Sequence, residues 1–525
     1  MSPAHGGHAA APARPGLGSL APGPKALTAF ALALGTFMQV LDSTIANVSI
    51  PVIAGDLGIS TNQGTWVITS FTVANGISLP LAGWLMQRFG LVRSFVTAVT
   101  LFTLASFLCG IAWNLPSLIV FRVLQGAVSG PMIPGSQALL LLIFPPQRRG
   151  LALAIWSITT LVAPIVGPIL GGYISDNYSW PWIFLINLPV GAVSAFVCWR
   201  LIGSRDTPVR RLPVDRVGIA LLVVWVGALQ VMLDKGRDAD WFASPLIVTL
   251  CVIAVIGFVA FLIWELTDHH PVVDLTLFRL RNFTVGTAVL CLGYAVFFAN
   301  IVLYPLWLQT QLGYTATWAG LVAAPSGVVA IVLTPLVGRM LGRLDARWFV
   351  TLSMAAFGAS YLMRAGLNTD AALINLIAPM LMQGIAMSTF FVASLQMMLS
   401  GVPAERVPAA SGLSNFLRIT AGSFGASIVT TFWDRHTAFH QTRLAEHTSL
   451  LDPAFTAALA NLRSIGLSDS QAFVLLTRLM GGQAYAKAAL DFFWISGWVV
   501  LALIAVVWMG RSTVGGASHG PVAAD

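Results

Sequence analysis

The sequence predicts an all-α membrane protein of about fourteen transmembrane spans, built as two six-helix halves with two further helices inserted between them. Three observations carry that prediction. Of the 525 residues, 57% are hydrophobic and only 9% charged, whereas soluble domains are about a quarter charged. The mean hydropathy is +0.82, and apolar runs near the ~20 residues needed to cross a bilayer recur along the chain; 246–264 and 494–508 are the plainest. Finally, the chain repeats itself. Pro80-Leu81-Ala82-Gly83, followed by Arg88, returns as Pro335-Leu336-Val337-Gly338, followed by Arg343. Leu124-Gln125-Gly126 returns as Met382-Gln383-Gly384, again close to 255 residues later. Proline, glutamine and arginine are scarce inside spans, so the two matches argue for duplicated halves, an architecture that places a binding site near the bilayer midplane.

Taken in order, residues 1–24 are Ala, Pro, Gly and His, too polar for the apolar core of a signal peptide. They read as a disordered cytoplasmic tail, and the first span as an uncleaved anchor. The N-terminal half, 25–205, holds spans expected at 27–50, 63–86, 91–112, 115–143, 150–173 and 180–200. The insertion, 206–270, holds two more at 214–233 and 244–266. The C-terminal half, 271–510, holds spans at 283–308, 316–341, 346–366, 371–399, 408–433 and 485–510. Its loop 435–484 is amphipathic, with short helices expected at 450–462 and 468–480. Residues 511–525 form a second tail.

Arginine sets the orientation. Alternate loops carry Arg88 and Arg93; Arg148 and Arg149; Arg200, Arg205, Arg210, Arg211 and Arg216; Arg279 and Arg281; Arg339, Arg343 and Arg347; and Arg406. The intervening loops hold little beyond Lys235, Arg237 and Arg364. Positive loops stay in the cytoplasm. Both termini are then expected there, in an inner (cytoplasmic) membrane, with loop 435–484 outside. The net charge of +8 is this orientation signal and does not point to nucleic acid.

Several chemistries are not expected. Cys109, Cys198, Cys251 and Cys291 fall inside apolar runs and read as packing residues. No G-x-x-x-x-G-K-[ST] phosphate loop is present, so an ion gradient is the expected energy source. His436-x-x-x-His440 lacks the Glu of a zincin helix and reads as a solvated segment. No histidine falls in an expected span. No metal and no cofactor is expected.

Four motifs then carry a resemblance. Leu41-Asp42-Ser43-Thr44-Ile45-Ala46-Asn47-Val48-Ser49-Ile50-Pro51 resembles the first-span motif of the fourteen-span drug:proton antiporters of the major facilitator superfamily. Arg122-Val123-Leu124-Gln125-Gly126 resembles their fourth-span motif, and Trp182-Ile183-Phe184-Leu185-Ile186-Asn187-Leu188-Pro189 their sixth-span entry. Ala163-Pro164-Ile165-Val166-Gly167-Pro168-Ile169-Leu170-Gly171-Gly172 resembles the antiporter motif of the fifth span. The subgroup is EmrB-like, and the resemblance runs over most of the chain, from about Leu27 to Gly510. It implies a secondary transporter rather than an enzyme, exporting hydrophobic drugs by alternating access in exchange for protons. It also implies a periplasmic adaptor protein and an outer-membrane channel as partners. Three departures stand out: Gln87 where the loop motif after span 2 has an acidic residue, Pro181 where Arg is common, and Ala163 for the first glycine of the fifth-span motif.

Candidate site residues follow. Charges within a span are functional candidates by default. Asp42 lies roughly 12 Å below the outer surface and Arg122 roughly 10 Å, at 1.5 Å per residue. Spans 1 and 4 share a cavity in the family fold, so the two are expected to interact, either as a proton-coupling pair or as a structural ion pair tying two helices. Arg418 sits near the midplane of span 13 with no acidic residue at its depth. This charge balance suits acidic or neutral amphiphiles better than cations, unless Asn415 or backbone satisfies the guanidinium. Gln39, Asn75, Gln125, Asn300, Gln383, Gln396 and Asn415, with aromatic Tyr294, Phe297 and Tyr304, are expected cavity-lining residues. Gln39, Gln125, Asn300, Tyr304, Asn415 and Arg418 form the expected substrate set. Gly167, Pro168, Gly171 and Gly172 give span 5 a small, bent face. Gly83, Arg88, Gly90 and Arg93 form the expected gating loop. The alternative functions are export of a dedicated metabolite, such as a siderophore or fatty acid, and a non-transporting receptor or scaffold on the same fold.

Overall fold

The computed structural model describes residues 20–513, apart from 146–147, 210–212, 269–270, 342, 369–370, 447 and 449–452. Expectations for residues 1–19, Arg210, Arg211 and residues 514–525 lie outside the described residues.

In the first half, α1 (Pro22–Asp56) opens on prolines, whose missing N–H costs nothing in a first turn. A short α2 (Thr61–Gly64) leads into α3 (Trp66–Phe89), and Gly90 turns the chain into α4 (Leu91–Gly110). The fourth span is two helices, α5 (Leu115–Ser129) and α6 (Met132–Ile143). Gly130 and Pro131 separate them, and Pro131 has no N–H to continue the ladder. α7 (Arg149–Asn177) bends by 42° between Gly150–Pro164 and Ile169–Ser175, around its two prolines. α8 (Trp182–Leu185) and α9 (Asn187–Ile202) make the sixth span. The insertion is α10 (Arg216–Lys235), capped by Asp215 on the Gly218 N–H, and α11 (Pro245–Thr267). The second half is α12 (Arg281–Gln311), α13 (Ala316–Met340), α14 (Ala346–Ala365), α15 (Leu373–Leu399), α16 (Val407–Ala445), α17 (Pro453–Ser464) and α18 (Asp469–Val507).

Among the described residues, 11 helices are long and apolar enough to cross a membrane, or 12 with bent α7 counted as one. The other two expected spans, α14 and α16, fold as helices of 20 and 39 residues. They pack between apolar neighbours, but their Ser, Thr, Arg and Asn content keeps them below the hydropathy of a lone span. One local expectation needs correcting. Residues 468–480 do not form a separate short helix: Ser468 caps α18 in a box with Gln471, and the helix runs unbroken into the last span. The Ala-rich stretch 484–489 carries it past Gly481 and Gly482, because alanine is the best helix former.

The repeat is visible in the packing. A Cβ on Gly126 of α5 would lie 2.5 Å from the Phe71 carbonyl of α3, and one on Gly384 of α15 would lie 2.6 Å from the Ser326 carbonyl of α13. Each contact joins the fourth span of one half to its own second span. Between halves, a Cβ on Gly83 of α3 would meet Ala409 Cα of α16 at 2.6 Å, and one on Gly338 of α13 would meet the Gly150 carbonyl of α7 at 2.7 Å. The second span of each half thus lies against the fifth span of the other. Both contacts fall at the arginine-rich end. There one continuous core joins Met86, Phe95, Leu139 and Leu153 to Val285, Val350, Met398 and Leu413. Toward the opposite end the halves have separate cores, one around Ile45, Val67, Leu118 and Phe184 and the other around Tyr304, Trp307, Leu376 and Phe493. There α10 and the segment that follows it bridge the two, the latter through Arg237 to Asp434 and Trp241 to Thr431 of α16. Asp234 accepts from Thr69 of α3 and Lys235 donates to Thr65, just before α3, at 2.8 Å, while Ser427 of α16 donates to the Leu233 carbonyl at 3.0 Å.

A latch closes the arginine-rich end. Asp345 takes hydrogen bonds from the Arg347 side chain (2.8 Å), Ser512 (2.7 Å) and Thr513 (3.1 Å), and Arg347 reaches the Gly510 carbonyl at 3.1 Å. Burial alone would raise the Asp345 carboxyl; the bonds from Arg347, Ser512 and Thr513 outweigh it and hold it well below the usual carboxylate range. A depressed carboxyl stabilises the fold above its unfolded pKa, and that contribution is lost as pH falls through the folded value. The C-terminal segment is therefore expected to stay docked through mild acid. Asp345→Ala is expected to free it at neutral pH at a cost of about 2 kcal/mol, read as cleavage by trypsin at Arg511.

Candidate functional site

Asp42 and Arg122 are completely buried and meet directly, Arg122 Nη1 to Asp42 Oδ2 at 2.6 Å. α1 and α5 bring them together, and three more side chains complete the cage. Gln125, one turn beyond Arg122, accepts from its Nη1 at 2.7 Å and donates through Nε2 to Asp42 Oδ1 at 3.0 Å. Asn187, the first residue of α9, donates to the same oxygen at 2.9 Å and to Ser106 of α4 at 3.0 Å. Ser106 donates in turn to the Phe184 carbonyl at 2.9 Å. Arg122 Nε donates to the Val67 carbonyl at 2.9 Å, and the guanidinium carbon stands 4.3 Å from the Phe71 ring and 5.4 Å from that of Phe184. Among the described residues, every partner of the carboxylate is a donor. Protonation of Asp42 would remove the negative charge on which Arg122, Gln125 and Asn187 converge.

The antiporter-motif glycines brace the other side of α1. A Cβ on Gly167 would fall 2.2 Å from Thr44 Oγ1, and one on Gly171 2.6 Å from the Ile45 carbonyl. Two and three residues from the carboxylate, α7 therefore lies directly against the Thr44 side chain and the Ile45 backbone of α1. Gly172 faces only Val48 at 3.8 Å, an ordinary contact, and Pro168 lies within the bend of α7.

The expected gating loop finds a carboxylate despite Gln87. Asp206, just beyond α9, accepts from the first backbone amides of α4, Val92 at 2.8 Å and Arg93 at 3.2 Å; its oxygen lies 3.7 Å from Arg93 Nε. Gly90, at φ 95°, would place a Cβ 2.3 Å from that carboxylate, so only glycine fits. Arg88 lies over the Trp84 ring at 5.2 Å. Gly83 is the point where this end of α3 meets α16. Asp206→Ala removes the α4 cap and is expected to cost about 1–2 kcal/mol, read as a lower unfolding temperature in detergent.

The expected substrate set separates into three places. Gln125 belongs to the Asp42 cage. At the contact between halves, Asn415 donates to Gln137 of α6 at 3.0 Å and accepts from Arg418 at 3.0 Å; the Arg418 guanidinium lies over Tyr294 at 4.6 Å. Gln39 of α1 is buried with its side-chain carbonyl unbonded among the described residues. Asn300 and Tyr304 lie in the second half, Asn300 donating to Ser496 of α18 at 3.1 Å and Tyr304 to the Leu376 carbonyl at 3.0 Å.

Sequence reasoning placed Arg364 in a loop, and here it needs correcting. It is 1% exposed, the last but one residue of α14, bonded to Gln383 and Ser360 and lying over Tyr304 at 4.6 Å. A long side chain folded back among aromatic rings hides a charge that hydropathy assigns to the helix end. Gln383 is the repeat partner of Gln125, and by the helix starts Arg364 is the partner of Cys109, whose thiol faces Gln125 at 3.7 Å. Each half thus buries a polar knot on its fourth span, but the carboxylate is present only in the first. Asn187 and Ser106 were also missed. Asn187 stands in the sixth-span motif without being singled out as a site residue, and the trace of Ser106 in sequence is a polar residue inside an apolar run.

Comparison with known proteins agrees with this architecture. Residues 32–426 match the family model described as Major Facilitator Superfamily. The chain is 48% identical over 490 residues to "Multidrug export protein EmrB" of Haemophilus influenzae, covering 93% of this chain and 96% of that protein. It is 46% identical over 495 residues to "Multidrug export protein EmrB" of Escherichia coli, with the same coverage. It is 45% identical over 490 residues to "Fatty acid resistance protein FarB" of Neisseria gonorrhoeae, covering 93% and 97%. Among solved structures, the human organic anion transporter MFSD10 superposes with a TM-score of 0.55 at 12% identity over 91% of this chain and 99% of that one. The proton:xylose symporter XylE superposes with 0.55 at 14% over 93% and 95%. These two share the fold. The chain belongs to the major facilitator superfamily of secondary transporters, in its EmrB-like branch.

Proposed function

We propose that this chain is a proton-coupled multidrug efflux transporter of the inner membrane, exporting hydrophobic acidic or neutral compounds, with both termini in the cytoplasm. The observation that carries the reading is Asp42: a fully buried carboxylate whose oxygens are held only by donors from α5 and α9, on a helix that α7 braces two residues away. Protonation neutralises the carboxylate and removes the reason for Arg122, Gln125 and Asn187 to converge on it. α1 is then free to shift against α5 and α9, and the loaded proton leaves when the cage re-forms. The bend and glycine face of α7 transmit that shift to the contact between halves, which Gly83 and Gly338 seal at the arginine-rich, cytoplasmic end.

Arg418, held at that contact by Asn415, favours an acidic headgroup, and Tyr294 offers it an aromatic wall. The name of the Neisseria relative, a fatty acid resistance protein, fits such a cargo and keeps a dedicated exporter of amphiphilic acids as the second reading. At the outer end, α16, α17 and α18 project with Phe473, Val474 and Leu479 exposed, a surface suited to the periplasmic adaptor protein that leads to an outer-membrane channel. Transport into proteoliposomes under an imposed pH gradient tests the function. Substrate-dependent proton flux with preference for acidic or neutral compounds is expected. Preference for cations, or flux independent of the gradient, would overturn it.

A further inference from the structure

The histidine pair that the sequence left unexplained gains a third partner in the fold. His436 and His440 are one turn apart on α16, and Asp491 approaches them from α18, although 51 residues separate it from His440. One carboxylate oxygen, Asp491 Oδ2, lies 3.4 Å from His436 Nδ1 and 2.7 Å from His440 Nε2. All three ligand atoms fall within 4.8 Å of one another. None of the three belongs to the Asp42 cage or to the Arg418 contact.

We propose that His436, His440 and Asp491 form a binding site for one divalent transition-metal ion of the zinc class, joining α16 to α18 at the end of the bundle opposite the arginine-rich loops. Two imidazoles and a carboxylate suit zinc, and metal–ligand bonds of ~2.0–2.2 Å in tetrahedral geometry put ligand atoms about 3.4 Å apart. Asp491 and His436 already stand at that separation, and a small rotation of the His440 ring opens the remaining gap. Phe432 stacks on the His436 ring at 3.7 Å and fixes its plane. The side chains are 38%, 17% and 43% exposed for His436, His440 and Asp491, so an ion can enter and a water can take a fourth position. α16 and α18 have 39 residues each. At 1.5 Å per residue such helices run about 58 Å, well beyond a hydrocarbon core of ~30 Å. The metal would pin the two where they leave the membrane, just below the hairpin they form with α17.

The test uses the full chain, purified in detergent through a tag free of histidine and stripped of metal with a chelator. Titration with Zn2+ by calorimetry is expected to give one ion per chain. His440→Gln and Asp491→Asn each keep a hydrogen-bonding side chain and are expected to weaken binding by more than about 100-fold, beyond the cost of losing a supporting partner. Cys291→Ser, in α12, is expected to leave it unchanged. Co2+ is expected to show the visible absorption of a four-coordinate ion in the wild type and to lose it in His436→Gln. Thermal unfolding of the metal-free variants checks that they fold, and Zn2+ is expected to raise the unfolding temperature of the wild type alone. Absence of saturable one-to-one binding, or its retention in His440→Gln and Asp491→Asn, overturns the proposal.

Discussion

Asp42→Asn protein, reconstituted into liposomes, is expected to lose proton-driven transport down to the level of empty vesicles. An amide cannot carry the proton, and its NH2 group must face either Arg122 at one position or Gln125 and Asn187 at the other, all of them donors. The same substitution strands the Arg122 guanidinium, and breaking a buried pair from one side costs about 3–5 kcal/mol. Loss of transport alone therefore does not separate coupling from structure. The double variant Asp42→Asn, Arg122→Gln removes both charges and is expected to recover most of the lost stability, because the uncompensated charge is gone. Its transport is expected to stay absent. If proton-driven transport returns together with the fold, the pair is only a strut and the coupling role is wrong. Unfolding temperature and pH-gradient-driven uptake, measured on the same preparations, decide between them.

Gly171→Ala in α7 is expected to be strongly damaging, and Gly172→Ala beside it nearly silent. The new methyl at 171 falls 2.6 Å from the Ile45 carbonyl, a backbone atom that cannot rotate away, whereas at 172 it meets Val48 at 3.8 Å. Overpacking of this kind costs about 1–3 kcal/mol. It also pushes α1 away from α7 next to Asp42, so transport is expected to fall more steeply than stability. The paired variants are compared by unfolding temperature in detergent and by transport rate per folded molecule. Equal behaviour of the two would mean that α7 packs on α1 without bearing on the carboxylate.

Legibility differed from element to element. α11, apolar around its whole circumference, needed only its composition, while α14 and α16 owe their place to the duplication and to their neighbours. Asp42 and Arg122 stood out because charges are rare at that depth. Arg364 did not, because at a helix end a snorkelling and a folded-back guanidinium have the same sequence. The histidines of α16 lacked a motif partner because Asp491 arrives from another helix.

Hydropathy and charge asymmetry sum along the chain, so an all-α membrane protein, most of its apolar helices and the charges of Asp42 and Arg122 deep within them were legible from the residues read as a string. Contacts across helices do not sum in that way. That Gln125 and Asn187 share one oxygen of Asp42, that Asp206 caps the start of α4, and that Tyr304 lies against Arg364 rather than Arg418 depend on the rotation and tilt of each helix. Those are set by close backbone approaches at Gly83, Gly126, Gly167 and Gly171, where a single methyl would move one helix off another.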